Sequence, residues 1–267
     1  MGIDIHALNF LRYCAKRQKL GRTVTLGRQR LHLSERNLAA IVPRGRSDRY
    51  GPYCEALLLD YFGALTVDSI DNSGYEGATI IADLNQPIPA LGTFDTIIDG
   101  GSTEHIFDIA QAYRNIGKLA EVGAQVVHVV PANQFCGHGF WQMSPEVFFS
   151  LYSVENGFSD TNVFVADLDD ESNWYEVGRP EAGKRIEIAS RSPLYLLVRT
   201  IKSREATKQI VQQSDYAFAW QLGTKSAERA TKLKDLGRRI ARRYELRNNR
   251  IEKNKNLRRL SVRSLVA

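Results

Sequence analysis

FDTIIDGGSTEHIFD, residues 94–108, passes from an apolar run (Thr96, Ile97, Ile98) through Asp99-Gly100-Gly101 into a polar segment that opens a helical pattern. A short apolar run ending in a tight turn reads as a buried strand feeding a helix. In open α/β sheets ligands bind outside the carboxyl ends of the strands, and Asp99, Ser102, Glu104 and His105 stand at such an end. Chemistry is therefore expected at this turn.

Working outward, the same alternation repeats on both sides. TVTLG at 23–27 reads as a strand closed by Gly27, and residues 3–18 before it carry Ile5, Leu8, Leu11 and Cys14 at helical spacing. A polar, basic and irregular stretch from Arg28 to Gly51 follows. CEALLLDYFG then reads as a helix stopped by Gly63, and ALTVDSID as a second strand, with Leu65, Val67 and Ile70 as its apolar positions and Asp71 at its end. ATIIAD reads as a third strand ending at Asp83. Downstream, a helix is expected over Thr103 to Val122, capped by Ser102 or Thr103 and stopped by Gly123. AQVVHVVP at 124–131 is a β-branched run that reads as a strand, and Ser144-Pro145-Glu146 has the cap, proline and acid of a helix start. TNVFVADL and LYLLVRT, at 161–168 and 194–200, read as the last two strands, with a polar excursion and no convincing helix between them.

The pattern predicts an α/β fold: a Rossmann-like, mainly parallel sheet with helices on both faces and one antiparallel strand near its end. The expected division is an N-terminal helical segment over 1–22, the α/β domain over 23–202, and a basic, mainly helical C-terminal extension over 203–267. With 267 residues, 43% of them hydrophobic, the chain is long enough to bury a full core. Its net charge of +6 hides an asymmetry. Residues 225–267 hold 15 Lys and Arg against 4 Asp and Glu, and the rest of the chain holds 21 against 26. No apolar run has membrane-spanning length and no secretory pattern is evident, so a cytoplasmic protein is expected. Cys14, Cys54 and Cys136 are far apart and lack CxxC spacing, which argues against a disulfide framework or a zinc-cysteine site. No local ligand spacing such as HExxH assigns a metal, although a site assembled from distant residues is invisible at this level.

The order of strands and the residues at their ends resemble the class I S-adenosylmethionine-dependent methyltransferases over roughly residues 20–200. The resemblance is most specific at a fourth-strand motif of the form FDxVxxxxxLEHxxD, which Phe94, Asp95, Glu104, His105 and Asp108 match and from which Thr103 departs. It implies S-adenosylmethionine as cofactor, with Asp71 on the ribose hydroxyls, Asp83 on the adenine amine, Leu84 beside the ring, and Gly27 and Asp99 near the cofactor. An ionised carboxylate accepts from two donors, which suits both acidic roles; Asp also forms turns, and Asp99 could simply cap its own. The usual GxGxG turn after the first strand is reduced to Gly27-Arg28-Gln29, so Arg28 or Gln29 would touch the cofactor's carboxylate or the pocket is altered.

PANQFCGHGFWQMSPEVFF at 131–149 lies on the same rim of the sheet, where the resemblance puts acceptor-binding residues. Asn133, Trp141 and Gln142 are its candidate substrate contacts. Methyl transfer needs alignment and a base for the acceptor's proton, for which His138 is the first candidate and His105 the second. His6, His32 and His128 are read as structural. The expected activity is methyl transfer to a small-molecule or sugar-containing acceptor. The alternatives are a non-catalytic protein on the same fold, and an RNA-directed methyltransferase using the basic tail. That tail carries Arg238, Arg239, Arg242 and Arg243 on a helical pattern, and a protein partner or an anionic membrane surface is the other reading of it.

Overall fold

The computed structural model describes residues 2–39, 41–43, 50–181, 183–206, 210–222 and 249–267. Among the described residues nine strands form one sheet: β1 (Gly21–Leu26), β2 (Ala64–Asp71), β3 (Ile80–Ile81), β4 (Phe94–Asp99), β5 (Ala120–Pro131), β6 (Phe158–Asp167), β7 (Asn173–Val177), β8 (Leu194–Lys202) and β9 (Leu257–Ser261). Their spatial order is β3-β2-β1-β4-β5-β8-β6-β7-β9. The first five are mutually parallel, and β8 enters antiparallel between β5 and β6. This is the mainly parallel, Rossmann-like sheet expected from the sequence, with its antiparallel pairings all beyond β5. After β1 the chain winds outward to β2 and β3, then returns on the other side of β1 as β4, so a topological switch point lies between β1 and β4.

Side chains alternate across a strand, and here the alternation feeds two cores. Ile97, Val126 and Leu196 belong to one, and their sequence neighbours Ile98, Val127 and Leu197 to the other. Helix α1 (Ile5–Arg17) and α3 (Glu55–Tyr61) cover the second face with Phe10, Leu11, Leu57 and Leu58. Helices α4 (Ile109–Leu119) and α5 (Pro145–Leu151) cover the first with Ile116, Leu119 and Phe148. The remaining described helices are short: α2 (Glu35–Leu38), α6 (Ser214–Leu222) and α7 (Val262–Val266). None of the described helices is long and apolar enough to cross a membrane. Cys14 and Cys54 are buried free thiols, and Cys136 is an exposed one.

Several sequence expectations are corrected. The long helix from Thr103 does not form: residues Thr103–His105 make one 3-10 turn and α4 begins only after Asp108, whose side chain accepts from the Gln111 amide at 2.9 Å. Asp99 accepts from the Thr103 hydroxyl and amide at the start of this turn, and the backbone leaves helical geometry at Ile106 (φ -96°, ψ 119°). At the other end no loop intervenes at Gly123, because β5 starts at Ala120, directly after α4. The apolar Leu65 is 75% exposed near the start of β2 rather than in the core. The polar excursion after β6 contains the strand β7. The described end of the C-terminal extension is not mainly helical: Leu257–Ser261 pairs antiparallel with β7 as the edge strand of the sheet. The arginine-bearing pattern at 238–243 lies outside the described residues.

Candidate functional site at the strand ends

Gly27 follows β1, Asp71 ends β2, and Asp83 and Leu84 follow β3. With Ser102 and His105 from the turn after β4, they line one cleft of about 310 Å³. Five residues expected from sequence thus meet in a single cavity at the switch point: Gly27, Asp71, Asp83, Leu84 and His105. A larger recess lined by Arg179, Lys184, Arg185 and Glu187 shares no residue with it.

Gly27 has φ +66°, a backbone state that costs a side-chain-bearing residue about 1–2 kcal/mol. A Cβ there would stand 3.0 Å from Ser102 Oγ and 3.9 Å from Asp71 Oδ2, so its absence leaves the floor of the cleft open. One Asp71 oxygen accepts from the Ser73 amide at 3.2 Å. Asp83 accepts from the Asn85 side chain and amide at 2.8 and 2.9 Å, which holds its exposed carboxyl below the usual carboxylate range. Leu84 is buried beside it.

The departed glycine turn does not block the cleft. Arg28 points toward α3, pairing with Glu55 at 2.6 Å and lying over the Tyr53 ring, and it does not line the cavity. Gln29 is buried under the turn, with Nε2 donating to the Leu26 carbonyl at 2.6 Å. Its Oε1 has no donor, and it approaches Gly100 so closely that a Cβ there would lie at 2.4 Å. This acceptor is enclosed beside Gly100, and Gln29 does not line the cleft.

Beside the cleft, three side chains converge. Glu104 is fully enclosed and neither carboxylate oxygen has a hydrogen-bond partner. Burial, with the Asp99 charge adding to it, pushes its carboxyl up to about 8. His105 Nε2 stands 3.8 Å and His138 Nε2 3.7 Å from Glu104 Oε1, and the two rings meet edge to face at 5.1 Å. Burial lowers both histidines below the ordinary value. The loop bearing His138 is clamped to the turn: the Glu104 carbonyl accepts from the Phe140 and Trp141 amides at 2.8 and 3.2 Å. Gly139 makes this possible, since a Cβ there would lie 2.8 Å from that same carbonyl. Glu104 was part of the sequence motif without an assigned role, because burial of one acid against a histidine 34 positions away leaves no local trace.

The other candidates divide. Asp99 does not reach the cleft. It is fully buried and accepts from the Thr103 hydroxyl (2.6 Å), the Ser102 amide (2.9 Å) and, at 2.8 Å, His128 Nδ1, so it caps its turn. Asn133 and Gln142 hold their own loop: Asn133 donates to Ser190 Oγ at 2.8 Å, and Gln142 accepts from the Phe135 amide at 3.0 Å. Trp141 anchors to the Ile106 carbonyl at 2.9 Å and stands near Phe107, which meets Phe140 edge to face. Phe107 and Phe140 are 71% and 65% exposed, an aromatic rim that neither sequence pattern nor motif marked out. Only its exposure distinguishes it from core.

No protein-family model and no curated protein sequence matches the chain. Solved structures similar to it include TehB from Haemophilus influenzae, at 12% identity and a TM-score of 0.41 over 73% of this chain. This chain spans 61% of the length of that structure. Another is the 1,6-didemethyltoxoflavin-N1-methyltransferase of Burkholderia thailandensis, at 12% identity, TM-score 0.42, 75% of this chain and 78% of that one. A third is an O-methyltransferase from a trans-AT PKS multienzyme of Brevibacillus brevis, solved with S-adenosylhomocysteine, at 9% identity, TM-score 0.43, 80% of this chain and 77% of that one. At these identities the likeness does not extend to substrate or partner.

Proposed function

We propose that this chain is an S-adenosylmethionine-dependent methyltransferase acting on a small-molecule acceptor, sugar-containing molecules among them. The observation that carries the reading is the pair of carboxylates Asp71 and Asp83 at neighbouring strand ends, in one cleft floored by a glycine without a side chain. Such a donor set fits a nucleoside: Asp71 has acceptor capacity for two ribose hydroxyls, Asp83 for an exocyclic amine, and Leu84 offers an apolar wall. The cofactor supplies a methyl group on a sulfonium; alignment of the acceptor against it is the protein's work. His105 joins the cleft to the neighbouring cluster, and Phe107, Phe140 and Trp141 form a rim suited to an apolar or aromatic acceptor. In this reading His138, with His105 beside it, takes up the acceptor's proton.

Calorimetric titration with S-adenosylhomocysteine tests the proposal. Micromolar binding is expected, weakened about 10- to 100-fold in Asp71→Ala, the loss that follows when charged hydrogen bonds to a ligand are removed. Absence of binding at millimolar ligand would overturn the reading. Gly27→Val supplies a second check. Its side chain enters the cleft, so affinity is expected to fall more than about tenfold while stability falls by only about 1–2 kcal/mol; unchanged affinity would show that the ligand does not lie over Gly27.

A further inference from the structure

The unassigned feature of the site is a buried carboxylate with nothing to bind. Glu104 has 0% side-chain exposure and no partner at either oxygen, and His138 Nε2, which faces it, is also enclosed and unpartnered. Native proteins pair their buried polar groups, so three such atoms in one place ask for a common partner. The separations say which kind. At 3.7 and 3.8 Å the histidine nitrogens are too far from Glu104 Oε1 for hydrogen bonds. All three ligand atoms lie within 4.8 Å of one another. Ligands about 2.1 Å from one tetrahedral cation are themselves about 3.4 Å apart, so a small inward movement of exposed imidazoles brings this set onto a single ion.

We propose that Glu104, His105 and His138 bind one divalent transition-metal ion of the Zn²⁺ class. Two imidazoles and a carboxylate form a donor set matched to such ions, and three protein ligands leave positions open for water or substrate. The site is built rather than incidental. The Asp99–Thr103 hydrogen bond fixes the turn that carries Glu104 and His105, and the Glu104 carbonyl holds the Phe140 and Trp141 amides that carry His138. It is the one such cluster among the described residues.

The ion site stands independently of the methyltransferase reading, but its role rests on that reading. His105 borders the cleft, so an ion held there would stand next to a ligand bound in it. A hydroxyl-bearing acceptor that occupied one of the ion's open positions would give up its proton to solvent water more readily, because a bound cation lowers the pKa of an oxygen ligand. His138 is then a metal ligand rather than the base.

Chelator-stripped full-length protein is titrated with ZnCl₂ by calorimetry and with Co²⁺ by visible absorption, and the same preparations are titrated with S-adenosylhomocysteine. One equivalent of Zn²⁺ per chain and a Co²⁺ absorption band are expected, with affinity at least about 100-fold weaker in His138→Ala and in Glu104→Gln. His138 is partly exposed, so its variant is expected to fold normally, as circular dichroism will report, even where the buried Glu104 variant does not. Failure to bind Zn²⁺ in a protein that binds S-adenosylhomocysteine would overturn the metal site and leave His138 as the base. Stoichiometric binding unchanged in a folded His138→Ala would overturn the assignment of ligands. Zn²⁺ binding lost in the variants, without any nucleoside binding, would uphold the site and reject the methyltransferase reading.

Discussion

Asp99→Ala is expected to destabilise the protein by about 3–5 kcal/mol, a large part of the 5–15 kcal/mol available to a typical domain. The carboxylate is fully buried at the end of β4 and accepts from Thr103 Oγ1, the Ser102 amide and His128 Nδ1, while His128 Nε2 meets the Tyr152 hydroxyl at 2.6 Å. Alanine orphans those donors in a place water does not reach, and each stranded donor costs about 1–3 kcal/mol. Asp99→Asn keeps the shape but turns an NH₂ group toward donors, so a smaller loss, about 2 kcal/mol, is expected. Urea unfolding of the two variants measures both. A loss below about 1 kcal/mol in Asp99→Ala would show that the network contributes little.

The same residue sets an acid limit. Burial alone pushes the Asp99 carboxyl up, but hydrogen bonding and the charge of His128, with the Thr103 and Ser102 donors, outweigh it and hold it below the usual carboxylate range. A carboxyl depressed in the folded state contributes its full stability above its unfolded value, about 3.9, and loses it as pH falls through the lower folded value. Wild-type stability is therefore expected to decline below about pH 4, and Asp99→Asn to lack that component of the slope. Identical pH profiles for the two proteins would exclude Asp99 as its source.

Trp174→Ala has the other large effect, about 3–5 kcal/mol. Trp174, on β7, is fully buried and its ring lies 5.7 Å from Phe10 of α1 and 6.0 Å from Phe164 of β6. It joins the helix to the outer strands, and Leu260 of β9 stands beside it in register. Its indole N–H has no partner, so the ring supplies packing and the nitrogen only a desolvation cost. Trp174→Phe is accordingly expected to lose no more than about 1–2 kcal/mol, because part of the lost packing is offset by removing the stranded donor. Guanidinium unfolding separates the two; equal losses would mean that the indole nitrogen is satisfied in solution.

Much of the architecture was legible because buried parallel strands are short β-branched runs whose identity is local. Thr23–Leu26, Phe94–Asp99 and Ala124–Pro131 stand out without knowledge of their neighbours, and the Ser144-Pro145-Glu146 start of α5 depends only on contiguous residues. Strand ends follow from strands, so Gly27, Asp71 and Asp83 could be assigned to one rim of the sheet. The edge strands were not legible. NWYEV and LRRLS are short and carry charged residues, and they pair with each other across 80 to 88 positions, with NWYEV also paired to β6.

The chemistry divides in the same way. Composition and local pattern determined the sheet, the rim and the acids that line it. The register of β4 against β5 set Asp99 opposite His128, and this consumed an acid that otherwise looks free for a cofactor. The turn that Asp99 caps carries His105, which lines the cleft, and Glu104, which is buried near His138. Each of these outcomes depends on which distant donor lies within about 3 Å, a property of packed strands and loops that no local stretch of sequence encodes.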